Sequence, residues 1–275
     1  MDMKYLSKLA IGAAIAAGKV IQQYDGQQLS VEQKAGGESY ASQVLTIVDT
    51  AAEAVILAHL RPSCREYGIA LLSEETADDG GRHEADFFWC IDPMDGTLAF
   101  IKAYPGYAVS IALVAQDGTP HIGVVYDPST ATLYHAIRGG GVFKNGDPWS
   151  ITNTNTHLTY VTDKQLQDTH RASDIERLIH TKVEQLSLAE AQEMAGAGAV
   201  LNAIRVLENG PAFMVKLPKE SAGGGSIWDY AATACIYHEL GLKATDYSGA
   251  PLQLNSSTGT FMNHSGILYT NLLSE

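Results

Sequence analysis

The segment that most constrains this chain is an apolar run that ends in two acids held three residues apart. Residues 87–91 read Phe-Phe-Trp-Cys-Ile, and residues 92–97 follow as Asp-Pro-Met-Asp-Gly-Thr. The apolar run predicts a buried strand, and Pro93 fixes its own φ and favours an extended Asp92. Gly96 allows a backbone to approach a ligand closely. The chain therefore delivers Asp92 and Asp95 from a strand end into a turn, which indicates a cation site beside an anion site.

Other acids occur in similar settings along the chain. Residues 69–72 are apolar and lead through Ser73 into Glu74 and Glu75. Asp49 lies near the start of an apolar-rich segment, and Asp229 follows a Gly-rich loop at a predicted helix start. Each acid, taken alone, can be explained without a binding site, as a turn residue, a solvated surface acid or a helix cap. Together they form a set of carboxylates with no Lys or Arg inside the 87–97 segment to pair with them. Such oxygen ligands suit hard cations such as Mg²⁺.

Taken in this order, the motifs resemble those of the inositol monophosphatase superfamily, which are magnesium-dependent, lithium-sensitive phosphomonoesterases. The family motif Asp-Pro-(Ile/Leu)-Asp-Gly-(Thr/Ser) corresponds to residues 92–97, with Met94 as a variant. The family's Glu-Glu, Thr-x-x-Asp and Trp-Asp correspond to residues 74–75, 46–49 and 228–229. The resemblance covers nearly the whole chain.

The resemblance implies a metal centre that holds two or three Mg²⁺ ions. Its ligands would be Glu74, Asp92, the carbonyl of Met94, Asp95 and Asp229. Glu74 and Asp92 would bind the first ion, and Glu74 would also touch a third.

The resemblance also implies how catalysis proceeds. Asp49 and Thr97 would orient and deprotonate the attacking water, with Glu74 as a third catalytic residue. The N–H groups of Gly96 and Thr97 would hold phosphate oxygens. This last role also agrees with a helix predicted over residues 97–103, because a helix N-terminus favours anions.

Within the superfamily, the sequence is most similar to the 3′(2′),5′-bisphosphate nucleotidases. Residues 196–199 resemble the Gly-rich segment near the nucleotide in that branch, so Gly196 and Gly198 are predicted to contact substrate; the alternative is an ordinary helix N-terminus before Val200. Lys216 and Lys219 could meet a second phosphate or be solvated. Inositol monophosphatase and sugar (bis)phosphatase remain alternatives. Inositol monophosphatases carry a Glu before the Trp-Asp pair, and the candidate here, Glu220, precedes an expanded loop.

A different class of function is a metal-binding or phosphometabolite-binding protein without turnover. The joint presence of the metal ligands and Thr97 argues against it, because binding alone does not need a residue that orients water. The formal net charge is −13 in 275 residues, which argues against a nucleic-acid polymer as partner and leaves a small phosphorylated metabolite. The family's members are often dimers, so a homodimer is also implied.

The three cysteines form no disulfide or zinc pattern, which favours a reducing compartment. No apolar run is long enough to span a membrane, and we expect a cytoplasmic protein.

The elements predict a mixed α/β chain. Helices are expected at 3–23, 47–66, 97–103, 172–184, 199–209 and 228–240. Strands are expected at 69–73, 87–92, 109–115, 121–126, 132–137, 158–162, 212–217, 243–247 and 266–270. Residues 28–45 are interpreted as irregular, with a candidate strand at 30–34. The resemblance implies a five-layer α-β-α-β-α sandwich in one compact unit: residues 1–155 form an α+β half with most metal ligands, and residues 156–275 form an α/β half that contributes Asp229 and substrate contacts.

Overall fold

The computed structural model describes residues 1–24, 40–168, 171–221, 223 and 225–272, with the backbone alone described for 40–46. The helices are α1 Met3–Tyr24, α2 Tyr40–Tyr67, α3 Thr97–Ile101, α4 Ala172–Gln185, α5 Ala199–Glu208 and α6 Ile227–Glu239. The strands are β1 Ala70–Ser73, β2 Phe87–Asp95, β3 Ala108–Ala115, β4 Pro120–Asp127, β5 Thr132–Ile137, β6 Gly141–Lys144, β7 Asp147–Pro148, β8 Leu158–Thr162, β9 Ala191–Ala195, β10 Ala212–Lys216, β11 Lys243–Thr245 and β12 Ile267–Asn271.

The first sheet has seven strands in the order β1-β2-β3-β4-β5-β6-β7. β1 pairs parallel to β2, and every later neighbour pairs antiparallel. Side chains of β3 alternate between two cores: Ala112 and Val114 face one, and Ile111 and Leu113 face the other. Because both faces of this sheet are covered, its central strands are continuous apolar runs rather than alternating patterns.

The second sheet has five strands in the order β11-β12-β10-β8-β9. β10, β8 and β9 run parallel, and β12 is antiparallel to β10 and to β11. The carboxyl ends of β8 and β10 therefore meet at one edge of the sheet, where α/β proteins commonly place ligands.

The two sheets and the helices form five layers. Helices α1 and α2 pack on one face of the first sheet, with Leu6 and Ile56 buried against strand residues such as Ile111. Helices α5 and α6 lie between the sheets, and α6 approaches β4 so closely that a Cβ on Gly123 would lie 2.2 Å from the carbonyl oxygen of Ala232. Helix α4 covers the outer face of the second sheet. The α-β-α-β-α sandwich is confirmed.

Several predicted elements differ in detail. Helix α2 begins at Tyr40 rather than 47, so residues 40–45 are helical and not irregular. In the sequence, apolar residues recur every four positions from Tyr40 through Val44 to Val48, a spacing that already favours a helix there. Helix α3 ends at Ile101, where Ala103 adopts a φ of 52°. Strands β6, β7 and β9 were not predicted. The candidate strand at 30–34 lies outside the described residues. The two sheets fall on either side of residue 155, but the division into halves stays a prediction.

Candidate metal centre and active-site cleft

Parallel pairing of β1 and β2 brings two of the predicted metal ligands to the same edge of the sheet. Ser73 lies opposite Ile91, and the N–H of Glu74 donates to the carbonyl oxygen of Ile91 at 3.2 Å. Glu74 directly follows Ser73, and Asp92 directly follows Ile91. The sequence pattern of an apolar strand followed by an acid, repeated on two neighbouring strands, therefore produces a pair of adjacent carboxylates.

A bulge in β2 turns Asp92 and Asp95 toward one another. Asp92 lies opposite Ser110 and Asp95 opposite Ala108, so β2 contains one more residue than β3 between these two pairs. Pro93 has no N–H to donate at this point, and the N–H of Met94 donates to Oδ1 of Asp92 at 3.0 Å. Both carboxylates are buried, with Asp92 1% and Asp95 7% exposed.

Asp95 also binds the N-terminus of α5, a contact across 104 residues of sequence. The N–H groups of Ala199 and Val200 donate to its Oδ1 and Oδ2 at 3.1 and 2.8 Å. The contact depends on Gly198, because a Cβ at that position would lie 2.2 Å from Oδ2 of Asp95. The positive end of α5 stabilises this carboxylate, and the helix fixes its position.

Asp229 reaches the same place from α6. It is the third residue of that helix and forms a capping box with Ser226, in which its carboxylate accepts the Ser226 N–H. Oxygen atoms of Asp92, Asp95 and Asp229 all lie within 4.8 Å of one another. Two elements distant in sequence, β2 and α6, thus place three carboxylates around one point.

The electrostatics of this cluster favour a bound cation. At an effective dielectric of about 20, two carboxylates at this separation repel by about 3 kcal/mol. Burial, with repulsion from neighbouring acids, raises the pKa of Asp92, Asp95 and Asp229 above the ordinary range. Lys216 opposes this rise at Asp95 and Asp229, but the pKa values stay raised. Buried carboxylates at such short range are the donor set for a hard divalent cation such as Mg²⁺, so the residues fit the metal that the sequence implies.

Glu74 lies at the exposed edge of this cluster. Burial of its carboxylate, followed by repulsion from Asp229, raises the pKa of Glu74 to about 7. The side chain still reaches solvent and lines a cleft of about 430 Å³ together with Asp95 and Asp229. A carboxylate in this position can exchange protons near neutral pH and remain accessible to a cation that enters from the cleft.

Gly96 and Thr97 form the wall of the cleft at the start of α3. Gly96 has a φ of 86°, and a Cβ there would lie 2.3 Å from the carbonyl oxygen of Gly106, so only glycine fits this turn. The hydroxyl of Thr97 donates to the carbonyl oxygen of Met94 at 3.4 Å. The predicted phosphate-holding backbone therefore directly follows the predicted metal ligands and opens into the same space.

Asp49 lies in the third turn of α2, not near a helix start as the sequence indicated. Burial, followed by repulsion from Glu75 and Glu74, raises the pKa of Asp49 to about 8. Its Oδ1 is buried and has no hydrogen-bond partner among the described residues. One helical turn further along, Glu53 is 7% exposed and accepts a hydrogen bond from Thr76. The i, i+4 spacing of these two acids was a signal, not used above, that they share a helix face.

The cleft also contains residues that sequence reasoning missed or left open. Gly196 and Gly198, predicted to contact substrate, line it, and Gly196 has a φ of 100°. Lys216 lines it and pairs with Asp163, with Nζ and Oδ2 2.9 Å apart. Two large apolar side chains at its mouth are unusually exposed, Leu98 at 53% and Phe261 at 56%. Phe261 occurs in a stretch without a motif, so only the fold could bring it here.

Among the described residues, no helix combines the length and the apolar character needed to cross a membrane.

The chain is similar to known proteins in its family profile, its sequence and its structure. Residues 2–274 match the profile of the inositol monophosphatase family. The chain is 30% identical over 275 residues to an inositol-1-monophosphatase of Synechocystis, covering 98% of this chain and 88% of that one. It is 39% identical over 144 residues to Nus factor SuhB of Escherichia coli, about half of each chain. The structure matches CysQ of Bacteroides thetaiotaomicron, a bacterial member of the same family, with a TM-score of 0.75, 25% identity and 96% coverage of both chains.

The profile match spans nearly the whole chain, and the metal-ligand motifs lie inside it. Members of this family are phosphatases that act on small phosphorylated substrates and in general require magnesium. The chain belongs to the inositol monophosphatase family and is a phosphoric monoester hydrolase.

Proposed function

We propose that the chain is a Mg²⁺-dependent 3′(2′),5′-bisphosphate nucleotidase. The observation that carries this choice is Lys216, which lines the acidic cleft at the end of β10, twelve residues before Trp228. Inositol monophosphatases have a carboxylate before their Trp-Asp pair that accepts hydrogen bonds from inositol hydroxyls. An ammonium group has no acceptor, and it favours a substrate that carries further negative charge.

Neighbouring groups stabilise the protonated, charged form of Lys216. Burial opposes protonation, yet Tyr230 and the carboxylates of Asp163 and Asp229 raise the pKa of Lys216 well above its ordinary value. The described side chain of Glu220 is not among the residues that line the cleft, and only its backbone carbonyl is engaged, by Asn263. The cation, rather than the candidate glutamate, therefore faces the substrate.

The exposed apolar side chains at the cleft mouth also favour a nucleotide substrate. Phe261 and Leu98 offer a surface on which a nucleobase can stack, whereas inositol has no flat apolar face. Stacking of a base on an aromatic ring is worth about 1–3 kcal/mol in single-stranded nucleic-acid complexes. Exposed apolar groups of this size at the mouth of a polar cleft are best explained by a ligand that covers them.

In this proposal Mg²⁺ is held by Glu74, Asp92, the Met94 carbonyl, Asp95 and Asp229, and when bound it neutralises the phosphate and the leaving oxygen. Backbone N–H groups of Gly96 and Thr97 hold phosphate oxygens at the start of α3.

Asp49 and Thr97 act on the attacking water in the same proposal. The Thr97 hydroxyl orients it. Asp49 accepts its proton, for which a pKa of about 8 and a free buried oxygen are suitable.

Phosphate release in the presence of Mg²⁺ tests the proposal, with adenosine 3′,5′-bisphosphate compared with inositol 1-phosphate at equal concentration. We expect a higher kcat/KM for the nucleotide, and in Lys216→Glu we expect the preference to shift toward inositol 1-phosphate. A wild-type preference for inositol 1-phosphate would instead support the second candidate, inositol monophosphatase, which the similarity to the Synechocystis protein favours.

A further inference from the structure

The segment that carries the predicted metal ligand Glu74 is a tight turn. Ser73 and Thr76 face each other in an isolated antiparallel bridge, so Glu74 and Glu75 form the two-residue tip between them. Ser73 ends β1 and is held by the pairing of that strand with β2. Thr76 lies beyond the strand, at the start of an irregular segment. The position of Glu74 therefore depends on what holds Thr76.

Helix α2 supplies the contact that holds Thr76. The hydroxyl of Thr76 donates to Oε1 of Glu53 at 2.9 Å. Glu53 is only 7% exposed, although glutamate is rarely buried unless it is paired. Within the part of the chain that the structure describes, Glu53 forms no ion pair, and Thr76 is its hydrogen-bond donor. A buried carboxylate that serves one contact with a loop indicates a function in that loop rather than in the core.

The same face of α2 carries a second residue of the proposed reaction. Glu53 lies one helical turn after Asp49, the proposed proton acceptor, so both side chains project from one face. Oδ1 of Asp49 is buried and has no hydrogen-bond partner among the described residues. Because both residues belong to one helix, the bond from Thr76 to Glu53 fixes the turn that carries Glu74 relative to Asp49.

The connection between α2 and β1 brings the helix and the turn side by side. Helix α2 ends at Tyr67, and Gly68 adopts a φ of 68° that leads the chain directly into β1. Because so short a connection makes β1 run back along α2, the end of the strand lies beside the third and fourth turns of the helix. The contact between Glu53 and Thr76 closes this helix–strand unit at the end opposite Gly68.

We propose that Glu53 is a positioning residue for the hydrolytic reaction. Through Thr76 it holds the turn that presents Glu74 to the metal ion, and it keeps that turn in place relative to Asp49. Glu53 does not line the cleft, so it acts through the position of Glu74 rather than by contact with substrate. The inference rests on the proposed roles of Asp49 and Glu74 and is independent of which phosphate ester is the substrate.

Removing the hydrogen bond from its exposed end is the mildest perturbation. Thr76→Val deletes the hydroxyl and preserves the shape of the side chain, whereas Thr76→Ser retains the donor. Glu53→Ala removes the acceptor, and Glu53→Gln retains an acceptor oxygen. Thr181→Val on α4 is the matched control, because the exposed Thr181 also forms one hydroxyl hydrogen bond, to the carbonyl oxygen of Arg177 at 2.9 Å. Circular dichroism and urea unfolding of the metal-free protein show whether each variant is folded.

Two readouts separate positioning from plain stability: the dissociation constant for Mg²⁺ from calorimetry, and kcat and KM for phosphate release from the better wild-type substrate. We expect Thr76→Val and Glu53→Ala each to weaken Mg²⁺ binding and to lower kcat by about tenfold, with less than about twofold change in KM. The double variant should match the single variants, because both remove the same contact. Both conservative variants and Thr181→Val should stay within about twofold of wild type.

Reference variants of the proposed catalytic residues make the possible failures distinguishable. If Asp49→Asn and Glu74→Gln are inactive but Thr76→Val binds Mg²⁺ and turns over like Thr181→Val, the inference alone is overturned. Additive losses in the double variant of Glu53 and Thr76 would overturn it as well, because Glu53 would then not act through Thr76. Wild-type turnover in Asp49→Asn or Glu74→Gln would overturn the proposed catalytic roles and the inference together.

Discussion

The contact between Gly198 and Asp95 gives the sharpest test of how the fold builds the metal centre. In Gly198→Ala the new Cβ would lie 2.2 Å from Oδ2 of Asp95, and the carboxylate would have to retreat by about 1.2 Å to reach ordinary contact at 3.4 Å. Gly198 has a φ of −64°, so alanine is compatible with the backbone. A loss of stability therefore comes from displacement of the carboxylate and not from backbone strain.

The size of the effect follows from what Asp95 binds. Its two hydrogen bonds to the N–H groups of Ala199 and Val200 involve a charged acceptor, for which about 1.5–3 kcal/mol each is typical. Partial loss of both should lower the free energy of unfolding by about 2–4 kcal/mol. A shift of about 1 Å in a group that positions the reaction can cost about 100-fold in rate, and we expect that loss in kcat.

Urea unfolding and Mg²⁺-dependent phosphate release measure the two effects. Gly12→Ala in α1 is a matched control, because the nearest atom to its new Cβ would be 3.7 Å away. It should leave activity unchanged and raise stability by up to about 1 kcal/mol. Full activity and unchanged stability in Gly198→Ala would refute the assignment of Asp95 as a carboxylate held by α5 at the metal centre.

Three further outcomes are expected. The folded-state pKa values of the clustered acids are raised, to about 7 for Glu74 and about 8 for Asp49, so the folded metal-free protein binds more protons than the unfolded chain. Its urea midpoint should therefore fall as pH rises from about 5 to about 9. A midpoint that rises over this range would contradict the raised pKa values of these acids. Asp229→Asn should lower the rate of phosphate release by at least about 100-fold. Its circular dichroism spectrum should not change, because the amide oxygen can still accept a hydrogen bond from the Ser226 N–H. Retained turnover would exclude Asp229 as a metal ligand. Phe261→Ala should raise KM for a nucleotide by about fivefold or more and leave KM for inositol 1-phosphate unchanged; an equal rise for both would remove base stacking from the proposal.

Much of the carboxylate cluster could be predicted because its signals are local. An apolar run that ends in an acid indicates a strand end, and residues 69–74 and 87–95 both show this pattern. Parallel pairing then places Glu74 beside Asp92. The capping position of Asp229 was also readable, since an acid after a Gly-rich loop is typical of a helix start.

Features that depend on packing between secondary-structure elements could not be predicted from the sequence. Nothing near residue 95 indicates that α5 will supply N–H donors to it, and Gly198 was interpreted only as a substrate contact or a plain helix start. Strand β9 was missed because its first three residues, Ala191 to Glu193, are exposed and two of them are polar, as suits an edge strand.

The surroundings of Lys216 show the same limit. Tyr160 and Lys219 are 59 residues apart in sequence, and an isolated lysine is most often solvated. Only the parallel neighbours β8 and β10 bring their ends together. Sequence reasoning named Lys216 and Lys219, but it could not separate a binding role from a solvated one.

The central claim is that the buried carboxylates are a magnesium site, and calorimetric titration of the metal-free protein with Mg²⁺ near neutral pH tests it most directly. We predict saturable binding of about two ions per chain, with proton release in buffers of different ionisation enthalpy because acids with raised pKa values must ionise to bind the metal. Asp92→Asn should abolish at least part of this binding. Absence of saturable binding in the wild type, or an identical titration in Asp92→Asn, would contradict the account.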